Sequence, residues 1–305
     1  LDQKMLVKPR YEPLELKLYR YLHARTSLSA KDLNYYRGLA KGFKGEQKFD
    51  MRLEKCSNDW LILNDLLFEK SNTVFQIDTI VISQEVTYLF DVKNYEGDFY
   101  TKNNQWYTIS GDEIKNPLLQ LKRNESLFRR LLQDLGSNVP IEAYLIFIHP
   151  EFHLYQSSPN LPIIFPTQLN RFLNKINKKP SKLNEGHSRL SNQLLSAHLK
   201  ESPYTKLPVY HYDQLEKGVP CANCNTFLTD FNNDTLICKK CGCRENTDAA
   251  ILRCVEEYKI LFPDKKVTTN AIHDWCKIIS SKKTIRRVLS KRFEVVLKGR
   301  SSYYL

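Results

Sequence analysis

The sequence predicts an α/β fold with a mixed sheet, followed by two small modules toward the C-terminus. Three observations predict it. The first half reads helix, three strands, helix, strand; two CxxC pairs come next; and three helices with a hairpin close the chain. At 305 residues the chain is long enough for two or three domains. Its 42% hydrophobic and 26% charged content is that of a folded globular protein, not a disordered one. The formal net charge of +12 favours a polyanionic partner, nucleic acid being the commonest, although a merely basic surface gives the same figure. No apolar run approaches the length of a membrane span, so none is expected. No apolar h-region follows Leu1-Asp2-Gln3-Lys4-Met5, so no secretion signal is expected either, and the cytoplasm is the expected compartment.

Residues 12–25 alternate apolar and polar positions as a short helix would. A second helix starts at Ser29, whose hydroxyl can cap it, and runs to about residue 55. Its apolar stripe is Tyr36, Leu39, Phe43 and Leu53, and Glu46 and Asp50 fall on that same stripe. A glutamate there wants a cation, whereas a small rotation of the stripe would leave it solvated. Gly42 and Gly45 weaken the helix but let it approach a sheet closely.

Strands are predicted over 61–69, 74–82 and 86–94, with a short piece near Phe99. The turn Ser83-Gln84-Glu85 joins the second to the third. Period-two alternation puts Asp91 and Lys93 on one face and Tyr88, Phe90 and Val92 on the other. Asp78, Asp91 and Lys93 thus sit in the two most apolar strands, where unpartnered charge is costly. A divalent cation would compensate the carboxylates, and the lysine could hold a water or a phosphate oxygen. Two carboxylates and a lysine paired at a sheet margin would produce the same pattern. Asn116-Pro117 then marks a helix N-cap and first turn, with Gln120 near its start and Leu127, Leu131 and Leu135 on one stripe. A buried strand at 141–148, a short one at 163–165 and a helix at about 167–177 complete the core.

These pieces resemble the nuclease-related (NERD) domain, a family of the PD-(D/E)XK nuclease superfamily whose core has the αβββαβ order. The resemblance is carried by Gly45-Glu46, Gln76-Ile77-Asp78, Asp91-Val92-Lys93-Asn94 with Gly97 after it, and Asn116-Pro117-Leu118-Leu119-Gln120, and it covers roughly residues 35–165. One departure is Asp91, where the family more often has glutamate. The resemblance implies that Glu46, Asp78 and Asp91 hold Mg2+ or Mn2+, that Lys93 orients water or stabilises charge, and that Gln120 assists. It also implies phosphodiester hydrolysis, in DNA defence or processing, and leaves a homodimer open.

Residues 178–188 read as a polar linker, and a helix is predicted at about 188–200, so 178–217 is expected to connect domain 1–177 to the C-terminal modules. Cys221-Ala-Asn-Cys224 and Cys238-Lys-Lys-Cys241 are separated by thirteen residues. Each pair makes a knuckle presenting two thiolates, and two knuckles complete a tetrahedral Zn2+ site within a ribbon at 218–246. With all four positions filled by protein, that zinc is expected to be structural. Cys243 is a poorer-spaced alternative ligand, and Cys56, Cys254 and Cys276 read as buried thiols. Residues 247–305 have the order of a winged helix. Its third helix and hairpin hold Lys282, Lys283, Arg286, Arg287, Lys291, Arg292, Lys298 and Arg300 against one acid, Glu294. That is the pattern of a major-groove helix with flanking phosphate contacts; a solvated basic helix, or one that docks on protein, would share it. The residues therefore point to a metal-dependent nuclease brought to nucleic acid, DNA first, by its C-terminal modules. The alternatives are a non-catalytic nucleic-acid-binding protein and a protein-interaction adaptor on the same fold.

Overall fold

A computed structural model describes residues 5–201, 207–232, 234–298 and 301–305. In chain order the elements of the first half are β1 (Met5–Lys8), α1 (Leu14–Arg25), α2 (Ala30–Leu53), β2 (Leu61–Lys70), β3 (Thr73–Ile82), β4 (Thr87–Lys93), β5 (Gly97–Lys102), β6 (Gln105–Thr108) and β7 (Glu113–Ile114). Next come α3 (Pro117–Asp134), β8 (Ile141–Phe147), β9 (Phe152–Tyr155), β10 (Ile163–Ile164), α4 (Leu169–Asn177) and α5 (Glu185–Ala197). The last third adds β11 (Asp230–Asn232), β12 (Thr235–Ile237), β13 (Arg244–Asn246), α6 (Thr247–Leu261), α7 (Thr269–Cys276), α8 (Lys282–Arg292), β14 (Val295–Lys298) and β15 (Ser301–Tyr304). They group into two units, residues 1–12 with 38–205 and residues 13–37 with 206–305.

The first unit is built on a six-stranded mixed sheet in the order β1-β2-β3-β4-β8-β10. Strands β2, β3 and β4 are antiparallel, while β1 joins β2, and β8 joins β4 and β10, in parallel. A sheet with parallel strands at its centre needs cover on both faces. On one face, Phe49 and Leu53 of α2 and Leu169, Leu173 and Ile176 of α4 pack on Val81, Phe90, Val92 and Ile146. On the other, Leu127, Phe128, Leu131 and Leu132 of α3 pack on Leu63, Ile80, Ile82 and Leu89. Leu190 and Leu194 of α5 are buried in this same layer. The segment expected as a linker is therefore part of the sandwich. Two buried leucines, each contributing roughly 1.5–3 kcal/mol, outweigh its polar composition.

A smaller sheet, β7-β6-β5-β9, extends what the sequence shows only as a short piece near Phe99. Its inner side chains, Phe99, Trp106 and Phe152, pack on Phe147.

In the second unit, residues expected to form separate modules share one core. Leu18 and Leu22 of α1, Val219, Leu228 and Leu236 of the cysteine segment, and Ile251, Ile272, Ile285 and Leu289 of the three last helices are all buried in it. Strands β11, β12 and β13 form an antiparallel ribbon. Strands β14 and β15 pair antiparallel, and Tyr304 bridges back to Val267 ahead of α7. A buried ion pair staples this core: Arg25 donates to both carboxylate oxygens of Glu257 at 2.6 and 2.7 Å and to the carbonyl of Gly218 at 3.1 Å. Its guanidinium lies 3.8 Å from the centre of the Trp275 ring, an arrangement that suits a weakly hydrated cation.

Candidate active site and metal centre

Strands β3 and β4 stay paired only as far as Thr79 and Phe90. Beyond that point the far half of β3 pairs with β2, and the far half of β4 pairs with β8. The sheet splits there, and Asp78 and Asp91 sit at the head of the split, one residue past the last pair. A missing ladder bond is replaced by a side chain: Asp78 Oδ2 accepts from the Val92 amide at 2.7 Å. Lys93 Nζ lies 2.6 Å from Asp91 Oδ1. The strand alternation expected for Asp91 and Lys93 is thus what brings them side by side.

The electrostatics are those of a buried acidic pair. Burial pushes the Asp78 carboxyl well above its ordinary value, and the neighbouring charges of Asp91 and Glu46 push it the same way. Burial alone would depress Lys93, but Asp91 and Asp78 overcome that and hold its ammonium above its ordinary value. The lysine is therefore a fixed positive charge.

Glu46 and Asp50 approach from α2. Ser29 Oγ accepts from the Asp32 amide at 3.1 Å at the start of this helix, in the expected capping position. The packing stripe is Gly45, Phe49 and Leu53, rotated from the predicted one, so Tyr36, Leu39 and Phe43 are only partly buried. Glu46 and Asp50 border the packed side, and a residue the sequence did not single out holds them. Arg10, in the segment after β1, donates to Glu46 Oε2 at 2.5 Å and to Asp50 Oδ2 and Oδ1 at 2.8 and 3.2 Å. It also donates to the Asp78 carbonyl at 2.7 Å and to Thr79 Oγ1 at 3.0 Å. Burial raises the Glu46 carboxyl pKa, with Arg10 opposing the rise.

Gln120 is half-exposed in the first turn of α3, whose N-cap is Asn116 as expected. From this helix it is Leu121, Asn124 and Glu125 that line a small cavity with Asp91 and Gln76. On the other side, Asn94 donates to the Lys41 carbonyl at 2.7 Å, while its buried Oδ1 has no hydrogen-bond partner among the described residues.

Glu46, Asp50, Asp78 and Asp91 stand against two cations, Arg10 and Lys93. The excess of buried negative charge, with hard oxygen donors, fits a divalent cation at Asp78 and Asp91. Glu46 does not close a three-carboxylate set with them. Among the described residues, only Cys221, Cys224, Cys238 and Cys241 bring three or more donor atoms within 4.8 Å of one another.

Those four cysteines fit zinc. Sγ–Sγ separations are 3.6 Å for Cys221–Cys241 and 3.5 Å for Cys224–Cys238, against roughly 3.8 Å between thiolates of a tetrahedral zinc site. The residue after each pair, Asn225 or Gly242, has a left-handed backbone (φ +59 and +72) that turns the chain around the knuckle. Hydrogen bonds from Thr226 bring the Cys224 thiol down to about 6, toward the thiolate that a metal needs. Cys243 gives its carbonyl to the Cys238 amide, and its thiol stands outside the cluster.

On α8, Lys282, Lys283, Arg286, Lys291 and Arg292 are exposed. Arg287 is not free: it holds both carboxylate oxygens of Asp248 at 2.6 and 2.9 Å. The side chain of Lys298, and Arg300 entirely, lie outside the described residues.

Residues 41–148 match the family model described as the nuclease-related domain, NERD. This segment carries a nuclease-related domain. The match includes Glu46, Asp78, Asp91, Lys93 and Gln120, and leaves out Arg10, the cysteine cluster and α8. No curated protein matches the chain. A solved structure, that of protein VC1899 from Vibrio cholerae, is similar at 11% identity with a TM-score of 0.27, over 58% of this chain and 46% of that one. The chain thus spans under half the length of that protein, and the likeness is too distant to bear on the nuclease-related domain. Among the described residues, no helix is long and apolar enough to cross a membrane.

Proposed function

We propose that the protein is a Mg2+- or Mn2+-dependent nuclease that hydrolyses phosphodiester bonds in DNA. The observation that supports this most is the convergence of Asp78, Asp91 and Lys93 where the sheet splits, within the nuclease-related domain. Asp78 and Asp91 would hold the cation, which supplies Lewis-acid stabilisation of the charge that builds on the phosphoryl oxygens. Lys93 stays protonated beside Asp91, so it donates to a phosphate oxygen or orients the attacking water, and does not take a proton from it. The Val92 amide fixes the rotamer of Asp78, and burial keeps bulk water from screening the charges. Zinc at the four cysteines would hold the ribbon's two knuckles, and exposed cations of α8 would contact phosphates.

The test is cleavage of supercoiled plasmid and of single-stranded DNA with Mg2+ or Mn2+. The wild-type chain is expected to cut, and Lys93→Met to cut roughly 10²- to 10³-fold more slowly, as when one charge-stabilising donor is removed. Asp91→Ala cutting as fast as wild type overturns the proposal.

A further inference from the structure

We infer that Arg10 is a positioning residue that holds Glu46 off the Asp78–Asp91 pair, so that two carboxylates, not three, form the cation-binding set. The inference rests on reading Asp78 and Asp91 as that set, and goes beyond it by assigning a role to a segment outside the matched domain.

The geometry of Arg10 is that of a built clamp. Its side chain is only 3% exposed, and it bonds two elements at once: Glu46 and Asp50 on α2, and the Asp78 carbonyl and Thr79 hydroxyl on β3. A guanidinium offers five donors in a rigid plane, which suits this span better than any other side chain. The backbone it grips is irregular. Asn64 pairs with Thr79 and Leu66 with Ile77, and Asp65 between them takes a left-handed φ of +54. Lys8 donates to the carbonyls of Asn64 and Asp65 at 2.8 and 2.7 Å. Lys8, gripping β2, and Arg10, gripping β3, therefore pin this strand pair beside Asp78.

The consequence for Glu46 is chemical. One oxygen is engaged by a permanent cation, and the donor atoms of Glu46, Asp78 and Asp91 do not gather within 4.8 Å. Moving Glu46 to a metal would strip Arg10 of one of its two carboxylates inside a buried site, a costly exchange.

Two measurements on the full-length chain test this. The first is Mn2+ titration, counting free Mn2+ by electron paramagnetic resonance, for wild type, Arg10→Gln, the charge-balanced double variant Arg10→Gln/Glu46→Gln, and Asp78→Asn. Asp78→Asn is expected to bind at least roughly tenfold more weakly. Arg10→Gln is expected to bind more tightly, since Glu46 is released toward the ion. The double variant should bind more nearly like wild type than like Asp78→Asn, because it leaves the net charge beside the ion unchanged and removes no ligand. The second is thermal melting in EDTA, which reads the clamp without metal. Arg10→Gln should melt lower than the double variant, because it leaves Glu46 and Asp50 buried without their cation.

A double variant that binds Mn2+ as weakly as Asp78→Asn makes Glu46 a ligand and overturns the inference, with the nuclease reading intact. So does an Arg10→Gln chain that binds more weakly or melts no lower than the double variant. A wild-type titration indistinguishable from that of Asp78→Asn removes the cation pair itself, and both readings fall together.

Discussion

At Gly45 the missing side chain is the point. A Cβ built there would stand 2.6 Å from the Cβ of Asn94, closer than two such atoms can come. Because Asn94 Cβ is fixed to the backbone just past β4, the helix would have to move, not a side-chain tip. Gly45→Ala gains about 1 kcal/mol of helix propensity, but overpacking of this kind costs typically about 1–3 kcal/mol. The expected outcome is a net loss of stability on chemical denaturation. An alanine variant as stable as wild type would show that α2 does not approach β4 this closely. The need for a small residue at Gly45 and the shared face of Asp91 and Lys93 are legible in the sequence, since both come from helix and strand geometry over a few residues. Arg10 is not. Its partners lie 36 to 69 residues away, in a segment with no periodicity of its own, and nothing local marks it among the other basic residues.

The same division runs through the elements. The knuckles are legible because two cysteines three residues apart already define the turn that presents them, and the backbone at Asn225 and Gly242 adopts it. The split between β3 and β4 is not, because it depends on which neighbour each strand chooses beyond Thr79 and Phe90. Strand β1, the pairing of β5 with β9 across some fifty residues, and the burial of α5 are likewise tertiary choices. Composition misleads at α5, where polar residues surround Leu190 and Leu194 and mask the Asn184 cap. For the ribbon, the buried positions of Cys221 and Cys238 beside Leu228 and Leu236 make the cysteine knuckles and the core one structure. Metal analysis should therefore find on the order of one zinc per chain. Cys224→Ser should lose it and destabilise the second unit by on the order of several kcal/mol, read by calorimetry. Cys243→Ser should keep its zinc. If instead Cys243→Ser loses the metal and Cys224→Ser does not, the ligand set is wrong.

Over the whole molecule, the excess of twelve positive charges is readable at once, but not which of them are free. Arg287 is spent on Asp248, thirty-nine residues away, whereas Lys282, Lys283 and Arg286 remain exposed at the start of α8. That location is unfavourable for folding. The first turn of a helix carries partial positive charge, Lys282 and Lys283 there each cost about 0.3–1 kcal/mol, Arg286 lies just beyond it, and no acid of the first turn offsets the two lysines. A phosphate beside these residues would offset it, so stability and binding should respond with opposite sign. Replacing all three with glutamine is expected to leave the melting temperature unchanged or raise it. In the same variant, the slope of log affinity for duplex DNA against log salt should become shallower by about 0.9 for each phosphate left without its cation. A basic helix that is only solvated predicts the gain in stability with no change in slope, and that pair of measurements would remove α8 from the DNA-binding surface while leaving the carboxylate site untouched.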